Sequence, residues 1–199
     1  MKIGPKYKIA RRLGAPVFEK TQTQKFAQNA ERKSKSMRPK SNFGLQMNEK
    51  QKARMFYCVT EKQFAKYVSN ALSKKDGSPT VKLFALLETR LDNVLWRSGF
   101  CRTHLAARQA AAHGHFLVGG KRSYVPSMSL KVGDKITLRE GSKNAKLWQD
   151  KGEEAISTQA PEWLTVDSKK MEITIKSIPT NIGNEALFDL GQVLEFYQR

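Results

Sequence analysis

The stretch LETRLDNVLWRSGFCRTHLAARQAAAHGHFLVGGKR, residues 87–122, constrains the fold more than any other part of the chain. From Val81 to Ser98, apolar side chains recur at helical spacing, which predicts one helix with a buried face. Gly99 can end that helix in the left-handed conformation that glycine adopts at little cost. Thr103 can cap a second helix through Ala112. The short turn between the helices predicts an angled or antiparallel pair.

A β-hairpin is predicted directly after the helix pair. HFLV precedes Gly119-Gly120 and KRSYV follows it, and two consecutive glycines permit the positive φ angles of a tight hairpin turn. Pro126 marks a break, residues 132–134 (VGD) form a second turn signal, and KITLRE alternates like a strand. Residues 87–145 therefore read as a small domain of two helices followed by short antiparallel strands.

Helices are also predicted before this domain. Asn48 is expected to cap a helix through EKQKARMFY, and Thr60 with Gln63 forms a capping-box pattern for the next helix. Five side chains recur at helical spacing in that helix and are expected in the core: Phe64, Tyr67, Val68, Ala71 and Leu72. We predict an α+β fold in which a mostly helical domain, residues 48–86 and 146–199 with C-terminal strands, carries residues 87–145 as an insertion.

The charge of the chain predicts a polyanionic partner. Lys and Arg total 36 against 18 Asp and Glu, a formal charge of +18, and cations placed near phosphates release condensed counterions. Nucleic acid is favoured over an anionic membrane surface. Residues 1–54 hold 15 basic and 3 acidic side chains, so residues 1–47 are predicted to be a basic arm, loosely ordered between Thr21 and Ser41 until phosphates neutralise it. The alternative is a solvated tail.

The inserted domain contains the main candidate binding residues. Arg90, Asn93 and Arg97 are spaced to share a helix face, and the start of the second helix beside Arg102 offers unpaired N–H groups to phosphate. The predicted RNA-binding residues of the whole chain are Lys6, Arg11, Arg12, Lys50, Lys52, Arg54, Arg90, Asn93, Arg97, Arg102, Thr103, Arg108, Gln109, His113, Lys121 and Arg122.

Internal pairing is the alternative for two of these arginines. Arg90 and Arg97 can pair with acids such as Glu88 or Asp92, and exposed pairs of that kind contribute only about 0–1 kcal/mol. We expect Asp92 to orient a neighbouring arginine rather than to meet phosphate.

Neither a metal site nor catalysis is expected. Cys58 and Cys101 lack the Cys-x-x-Cys spacing of zinc sites and are predicted to be buried thiols in a reducing compartment. His113 and His115 have no third ligand nearby, and no nucleophile–base constellation is present. No run of about 18 apolar residues and no signal-peptide core occurs, so we expect a soluble chain that needs no cofactor.

The segment RLDNVLWRSGFCRTHLAARQAAAHGHFLVGGKRSYVPS resembles the RNA-binding domain of the family of the fourth protein of the small ribosomal subunit. The flanks resemble that family too, in NFGLQMNEKQKARMFY with TEKQFAKYV, in PEWLTVD and in the closing VLEFYQR. The small domain alone also recurs in pseudouridine synthases, a tyrosyl-tRNA synthetase and a heat-shock protein. Gly119 and Tyr124 depart from the asparagines usual in the family, and the N-terminal zinc cysteines of some members are absent before Cys58.

This resemblance implies a structural constituent of the small subunit that binds the five-prime domain of its ribosomal RNA at a multi-helix junction. It further implies that the protein nucleates assembly of the body, contributes to decoding accuracy and lies near the messenger-RNA entry channel. The implied neighbours are the fifth and possibly the third small-subunit protein, on a cytoplasmic or organellar ribosome.

Two other function classes are weaker. An RNA-modifying enzyme, or its targeting subunit, needs a further domain of about 100 residues, and only 54 residues follow Ala145. DNA binding lacks a recognition-helix or zinc-finger pattern. Residues 146–199 hold 9 acidic and 6 basic side chains, and we expect part of this acidic segment to face a basic neighbouring protein.

Overall fold

The structure is a computed structural model that describes residues 3–28, 41–73, 77–143, 148, 160–180 and 187–198. The helices are α1 (Lys6–Leu13), α2 (Asn42–Phe56), α3 (Glu61–Ser73), α4 (Pro79–Glu88), α5 (Leu91–Arg97), α6 (His104–Ala112), α7 (Glu140–Lys143) and α8 (Leu190–Gln198). The strands are β1 (Phe116–Val118), β2 (Lys121–Arg122), β3 (Lys135–Leu138), β4 (Leu164–Asp167) and β5 (Glu172–Ile175). The chain forms two compact units, residues 1–84 with 181–199, and residues 85–180.

The first unit is helical and joins the two ends of the chain. The C-terminal helix α8 packs on α2 and α3. Gln46 Nε2 in α2 donates a hydrogen bond of 2.9 Å to Glu195 Oε2, and the Asp189 amide donates one of 3.0 Å to Glu49 Oε2. These contacts between residues about 140 positions apart confirm the predicted helical part built from both termini.

The predicted basic arm is folded over residues 3–28, which include the first eight residues of the stretch that was predicted to be loosely ordered, Thr21 to Ser41. Gly14 ends α1 in the left-handed conformation at φ 71°, and Val17, Phe18 and Phe26 continue a small core with the buried face of α1. These three apolar side chains lie within ten residues, and their burial is enough to anchor the segment. A count of cations and amides does not show this. Residues 29–40, the rest of the predicted loose stretch, lie outside the described residues.

The predicted start of α2 at Asn48 is wrong. The helix begins after Ser41, whose Oγ accepts a hydrogen bond of 3.3 Å from the Gly44 amide, and Asn48 lies inside it and donates from Nδ2 to the Leu13 carbonyl at 3.0 Å. The predicted cap of α3 is confirmed, since the Gln63 amide donates to Thr60 Oγ1 at 3.4 Å.

The apolar stripe of α3 is only partly in the core. Three of the five predicted residues are buried, namely Phe64, Val68 and Ala71, whereas Tyr67 and Leu72 are half-buried.

The predicted single helix over residues 81–98 is in fact two. α4 ends at Glu88 and α5 begins at Leu91, with Arg90 extended between them. The Leu91 and Asp92 amides donate to the carbonyls of Met128 and Pro126, at 2.9 and 3.0 Å, so a neighbouring loop replaces the helical hydrogen bonds there. Helical spacing survives the break, because the predicted stripe of Leu83, Leu87, Leu91 and Val94 is fully buried.

The turn and cap signals after α5 are confirmed. Gly99 has φ 78°, and the Ala106 amide donates to Thr103 Oγ1 at 3.1 Å where α6 begins. Gly119 and Gly120 have φ 55° and 77°, and the strands on either side pair as an antiparallel hairpin.

The second unit contains one antiparallel sheet in the order β2-β1-β3-β5-β4. The expected placement of the C-terminal strands in the helical domain differs from this, because β5 pairs with β3 at Ile136↔Ile173. Ile136 and Ile173 are both fully buried in the core that α5 and α6 share with the sheet. β3 lies before the predicted domain boundary at residue 145 and β5 lies after it, so a single sheet crosses that boundary.

Other expectations about the chain concern cysteines and membranes. Cys58 and Cys101 are buried, as predicted, and neither belongs to a disulfide. Among the helices of the described part, none has the length and apolar character to cross a membrane.

Candidate nucleic-acid interface

A cluster of buried polar side chains surrounds the start of α5. We call Glu88, Arg90, Asp92 and Asn93 the inner network. Arg90 is 1% exposed, and its Nε and Nη2 donate to Asp92 Oδ1 and Oδ2 at 2.9 and 2.6 Å. This two-point geometry is what a buried ion pair needs, because both ions have lost their water.

Asp92 also holds an arginine at the surface. Arg108 Nη1 in α6 lies 3.3 Å from Asp92 Oδ2, and the Arg108 side chain is 25% exposed. The Asn93 amide donates to Asp92 Oδ1 at 3.0 Å. One carboxylate therefore joins a buried arginine, a half-buried arginine and the first turn of α5, in agreement with the orienting role predicted for it.

Glu88 is the second carboxylate of the inner network and is fully buried. Arg97 donates to it from Nε and Nη2 at 2.9 and 2.8 Å, and Asn93 Nδ2 donates to it at 2.8 Å. His104 Nε2 lies 3.2 Å from Asn93 Oδ1, so this nitrogen carries the proton in a hydrogen bond to an oxygen that can only accept. The His104 ring stacks on Trp96 at 3.9 Å between centroids.

The structure therefore corrects the proposed role of two candidates. Arg90 and Asn93 lie inside the unit and bond to carboxylates, so they do not present a surface to RNA. The alternative of internal pairing holds for Arg90 with Asp92 and for Arg97 with Glu88. Arg97 keeps 31% of its side chain exposed.

Five predicted residues lie on the exposed side of α6 and on the hairpin. We call them the outer face: Arg102, Gln109, His113, Lys121 and Arg122. Gln109 and His113 are one helical turn apart. Arg122 donates from Nε to the Gly114 carbonyl at 2.9 Å and from Nη2 to the His113 carbonyl at 3.2 Å, so it ties the hairpin to the end of α6. Thr103 is half-buried and uses its hydroxyl as the cap of α6.

The predicted RNA-binding residues of the first unit also divide into exposed cations and cations held by contacts within the unit. Arg11 and Arg12 are exposed on α1, whereas Lys6 is half-buried with its ammonium 5.6 Å from the Phe18 ring centroid. The other three are held by side chains of their own unit: Lys50 by Glu61 at 2.8 Å, Lys52 by Glu49 at 2.6 Å, and Arg54 by Gln51 at 2.8 Å and Glu61 at 3.4 Å.

Glu61 forms an internal cluster that the sequence did not reveal. Burial raises the pKa of Glu61, but hydrogen bonds from Lys50 and Tyr197 and the charges of Lys50 and Arg54 outweigh it, so the pKa is lowered. Tyr197 Oη donates to Glu61 at 2.8 Å, and burial together with this carboxylate raises the pKa of Tyr197. No local pattern connects positions 61 and 197, which meet only when α8 docks.

A second histidine, His115, lies beside His113 of the outer face. His115 Nδ1 is 3.0 Å from Ser142 Oγ, and its ring is 6.0 Å from the exposed His113 ring. Burial lowers the pKa of His115, and the charges of His113, Arg139 and Arg122 lower it further. The described residues contain no group of three or more His, Cys, Asp or Glu arranged to bind a metal ion.

The sequence also missed His104. Its bond to Asn93 crosses eleven positions from one helix to the next, and no spacing rule marks that pair. Its position directly after the Thr103 cap indicates only that it starts a helix.

The chain is similar to known ribosomal proteins over nearly its whole length. Residues 1–88 match the family "Ribosomal protein S4/S9 N-terminal domain", and residues 89–136 match the "S4 domain". Small ribosomal subunit protein uS4 of Sulfurihydrogenibium sp. (strain YO3AOP1) is 37% identical over 199 residues, which cover 98% of this chain and 97% of that protein. The same protein of Geobacillus sp. (strain WCH70) is 38% identical over 198 residues, 98% of each chain. That of Syntrophomonas wolfei subsp. wolfei is 40% identical over 159 residues, 80% of this chain and 76% of that protein.

Proposed function

This chain belongs to the family of small ribosomal subunit protein uS4, and on that premise we propose that it binds small-subunit ribosomal RNA directly through its outer face. The family is one of ribosomal proteins and not of enzymes. The chain thus serves as a structural constituent of the subunit, and its S4 domain is the RNA-binding part.

This proposal rests on the exposure of the cations on the outer face and on whether carboxylates pair with them. Among the residues that the structure describes, no carboxylate pairs with Arg102, Lys121 or Arg122. All three are exposed, and they lie at the beginning of α6 and on the hairpin tied to its end. Exposed cations of this kind can follow a phosphate backbone, which positions a protein on folded RNA without reading its sequence.

The finer parts of the proposal come from the family resemblance. We expect binding at a multi-helix junction of the five-prime domain, early in assembly, with an effect on decoding accuracy. The place we expect is near the messenger-RNA entry channel of a cytoplasmic ribosome, or of an organellar one.

A protein neighbour is proposed for the acidic segment, residues 146–199. Its excess of acidic side chains suits a basic partner, for which the fifth small-subunit protein is the first candidate and the third the next. Glu153 and Glu154 lie outside the described residues, and Glu162 is exposed. Reversal of Glu153 and Glu154 to lysine should leave RNA binding intact and weaken recruitment of that neighbour. Loss of RNA binding with normal recruitment would contradict the proposal.

The strand order supplies a matched test of the RNA-binding face. The hairpin with Lys121 lies at one edge of the sheet, and the β4–β5 turn with exposed Lys169 and Lys170 lies at the other. We would compare Arg102→Gln/Lys121→Gln with Lys169→Gln/Lys170→Gln, measuring affinity for five-prime and three-prime domain fragments of the RNA over a range of salt.

The first double variant should bind the five-prime fragment more weakly and lower the slope of log affinity against log salt by about two. The second should leave both quantities unchanged. Equal effects of the two variants, or equal wild-type affinity for the two fragments, would exclude the outer face as a specific RNA site.

A further inference from the structure

An exposed aromatic ring lies beside the outer face. Tyr124 follows β2 and is 53% exposed, although one of its edges packs on the end of α6 at Gly114. A Cβ added to Gly114 would lie 2.7 Å from Tyr124 Cε1 and 2.6 Å from Arg122 Nε, so only glycine admits both side chains. Gly114 also has φ 66°, which favours glycine independently.

One face of the ring is covered by a fixed cation. The Arg122 guanidinium lies 4.6 Å from the Tyr124 ring centroid, and the carbonyls of His113 and Gly114 hold that guanidinium in place. The arginine therefore supports the ring from behind, by a cation–π contact, and leaves the rest of the ring open.

The loop that carries Tyr124 is also fixed. The Pro126 and Met128 carbonyls accept hydrogen bonds from the first amides of α5, and the Val125 amide donates to Ser123 Oγ at 3.4 Å. A ring held by a rigid loop, a glycine seat and a cation loses little conformational freedom when a flat ligand covers its open face.

The charge around the ring selects the ligand. The Arg122 guanidinium lies against it, and Lys121, the preceding residue of β2, is also exposed, in a chain of formal charge +18. An apolar protein surface laid here would have to desolvate these cations without pairing them. A nucleotide provides both partners, a flat base for the ring and a phosphate for the cations.

We propose that the open face of Tyr124 stacks on an unpaired nucleobase of RNA, with Arg122 behind the ring and Lys121 on an adjacent phosphate. A base in a continuous helix is already stacked on both sides, so the site takes a base from a loop, bulge or junction. This inference rests on the proposed function and specifies which feature of the RNA the outer face recognises.

The test separates stacking from charge. With the full-length protein and the five-prime domain fragment, Tyr124→Leu should weaken binding by about 5- to 150-fold, the usual range for one base–aromatic stack. The salt slope should stay at its wild-type value, since no charge is removed. The melting temperature should fall only slightly, because the ring is 53% exposed and leucine loses only its contacts with Gly114 and Arg122. Tyr124→Phe and Tyr124→Trp should bind within about twofold of wild type, because both keep a ring.

A second measurement locates the base. Ultraviolet crosslinking of the wild-type complex, followed by mass spectrometry, should join Tyr124 to a nucleotide that is unpaired in the RNA fold.

Several results would overturn the inference. These are wild-type affinity for Tyr124→Leu, an equal loss for Tyr124→Phe, a salt slope lowered by one unit, or a crosslink only to paired nucleotides. If wild type itself shows no preference for the five-prime fragment, the proposed function fails and the stacking site falls with it. Normal wild-type binding with an unaffected Tyr124→Leu variant would remove the stacking site alone.

Discussion

The inner network and the outer face contain the same kinds of side chain and use them in opposite ways. In and beside α5, Arg90 and Arg97 each meet a carboxylate at two points, inside the unit. On the outer face, Arg102 and Lys121 are exposed and, within the described residues, face no carboxylate. A cation with an acid close enough in the fold to pair with it stabilises the domain, whereas a cation without one remains available to RNA.

The two regions are joined through Asp92. Its Oδ2 accepts from buried Arg90 and lies within pairing distance of Arg108, which projects from α6. The inner network therefore fixes the helix on which the outer face is built. Substitutions in the first region should alter stability, and substitutions in the second should alter RNA affinity and its salt dependence.

The largest effect is expected for Asp92→Asn. The substitution removes the carboxylate charge that meets the buried Arg90 guanidinium at two points, and loss of one partner of a buried pair costs about 3–5 kcal/mol. Urea unfolding followed by circular dichroism should show a lower free energy of unfolding by that amount. Glu140→Gln is the control, because the Glu140 side chain is 94% exposed and 3.8 Å from Lys143.

A double variant sharpens this prediction. Arg90→Met/Asp92→Leu removes both charges and should regain much of the lost stability, since no unpaired ion remains in the core. If Asp92→Asn unfolds at the wild-type urea concentration, the inner network does not support the domain.

The second prediction concerns Arg97, which is partly exposed and was expected to contact RNA. Arg97→Gln removes the two-point partner of Glu88, whose carboxylate is fully buried, and should cost about 2–3 kcal/mol of stability. The salt slope of RNA binding should not change. Arg102→Gln should show the reverse, with wild-type stability and a slope lower by about one. A slope lowered by Arg97→Gln would move that residue to the outer face.

Sequence reasoning succeeded where the signal was local. The Thr103 cap, the end of α5 at Gly99 and the Gly119-Gly120 turn each depend on residues a few positions apart, and each is confirmed. Family membership was also within reach, because the resemblance extends over the flanks as well as the inserted domain.

The predictions that failed have one physical cause. At each of these places the structure depends on residues that lie far apart in the sequence. The break at Arg90 exists because the loop carbonyls of Pro126 and Met128 replace helical hydrogen bonds, and β5 joins the sheet because β3 offers it an edge. The pairing of Arg90 was a stated alternative, but spacing alone does not show whether a helix face points inward. Burial decides that, and burial depends on the whole fold.

The third prediction tests whether the comparison extends to the first unit. Lys50 is buried, pairs with Glu61 and lies 4.4 Å from the Phe196 ring centroid, so we expect it to stabilise the docking of α8. Lys50→Met should cost only about 1 kcal/mol, because Glu61 keeps Arg54 and Tyr197 and its side chain is 46% exposed. RNA affinity should be unchanged, whereas Arg11→Gln should lower the salt slope. A lower slope for Lys50→Met would place this lysine among the RNA contacts.

The smallest effect is expected from His115, which lies beside the outer face and is affected by its charge. Burial and the charges of His113, Arg139 and Arg122 lower the pKa of His115 in the folded protein, so between that lowered pKa and about pH 6.5 the unfolded chain binds more protons. The contribution to stability is therefore complete above about pH 6.5 and is lost as the pH falls from there through the lowered pKa of the folded state. His115→Asn should unfold with less dependence on pH between about 5 and 7.

The same pKa should report on RNA binding. Phosphates placed near Arg122 and His113 would offset the positive potential that disfavours the charged imidazole, so the pKa of His115 should rise in the complex. A nuclear magnetic resonance titration of the His115 ring, with and without the five-prime domain fragment, measures this shift. Lys121→Gln/Arg122→Gln should reduce the difference between the two titrations, because fewer phosphates are held nearby. An identical His115 titration in the free and bound protein would mean that RNA does not approach this side of the hairpin, and the contrast between the inner network and the outer face would lose its functional meaning.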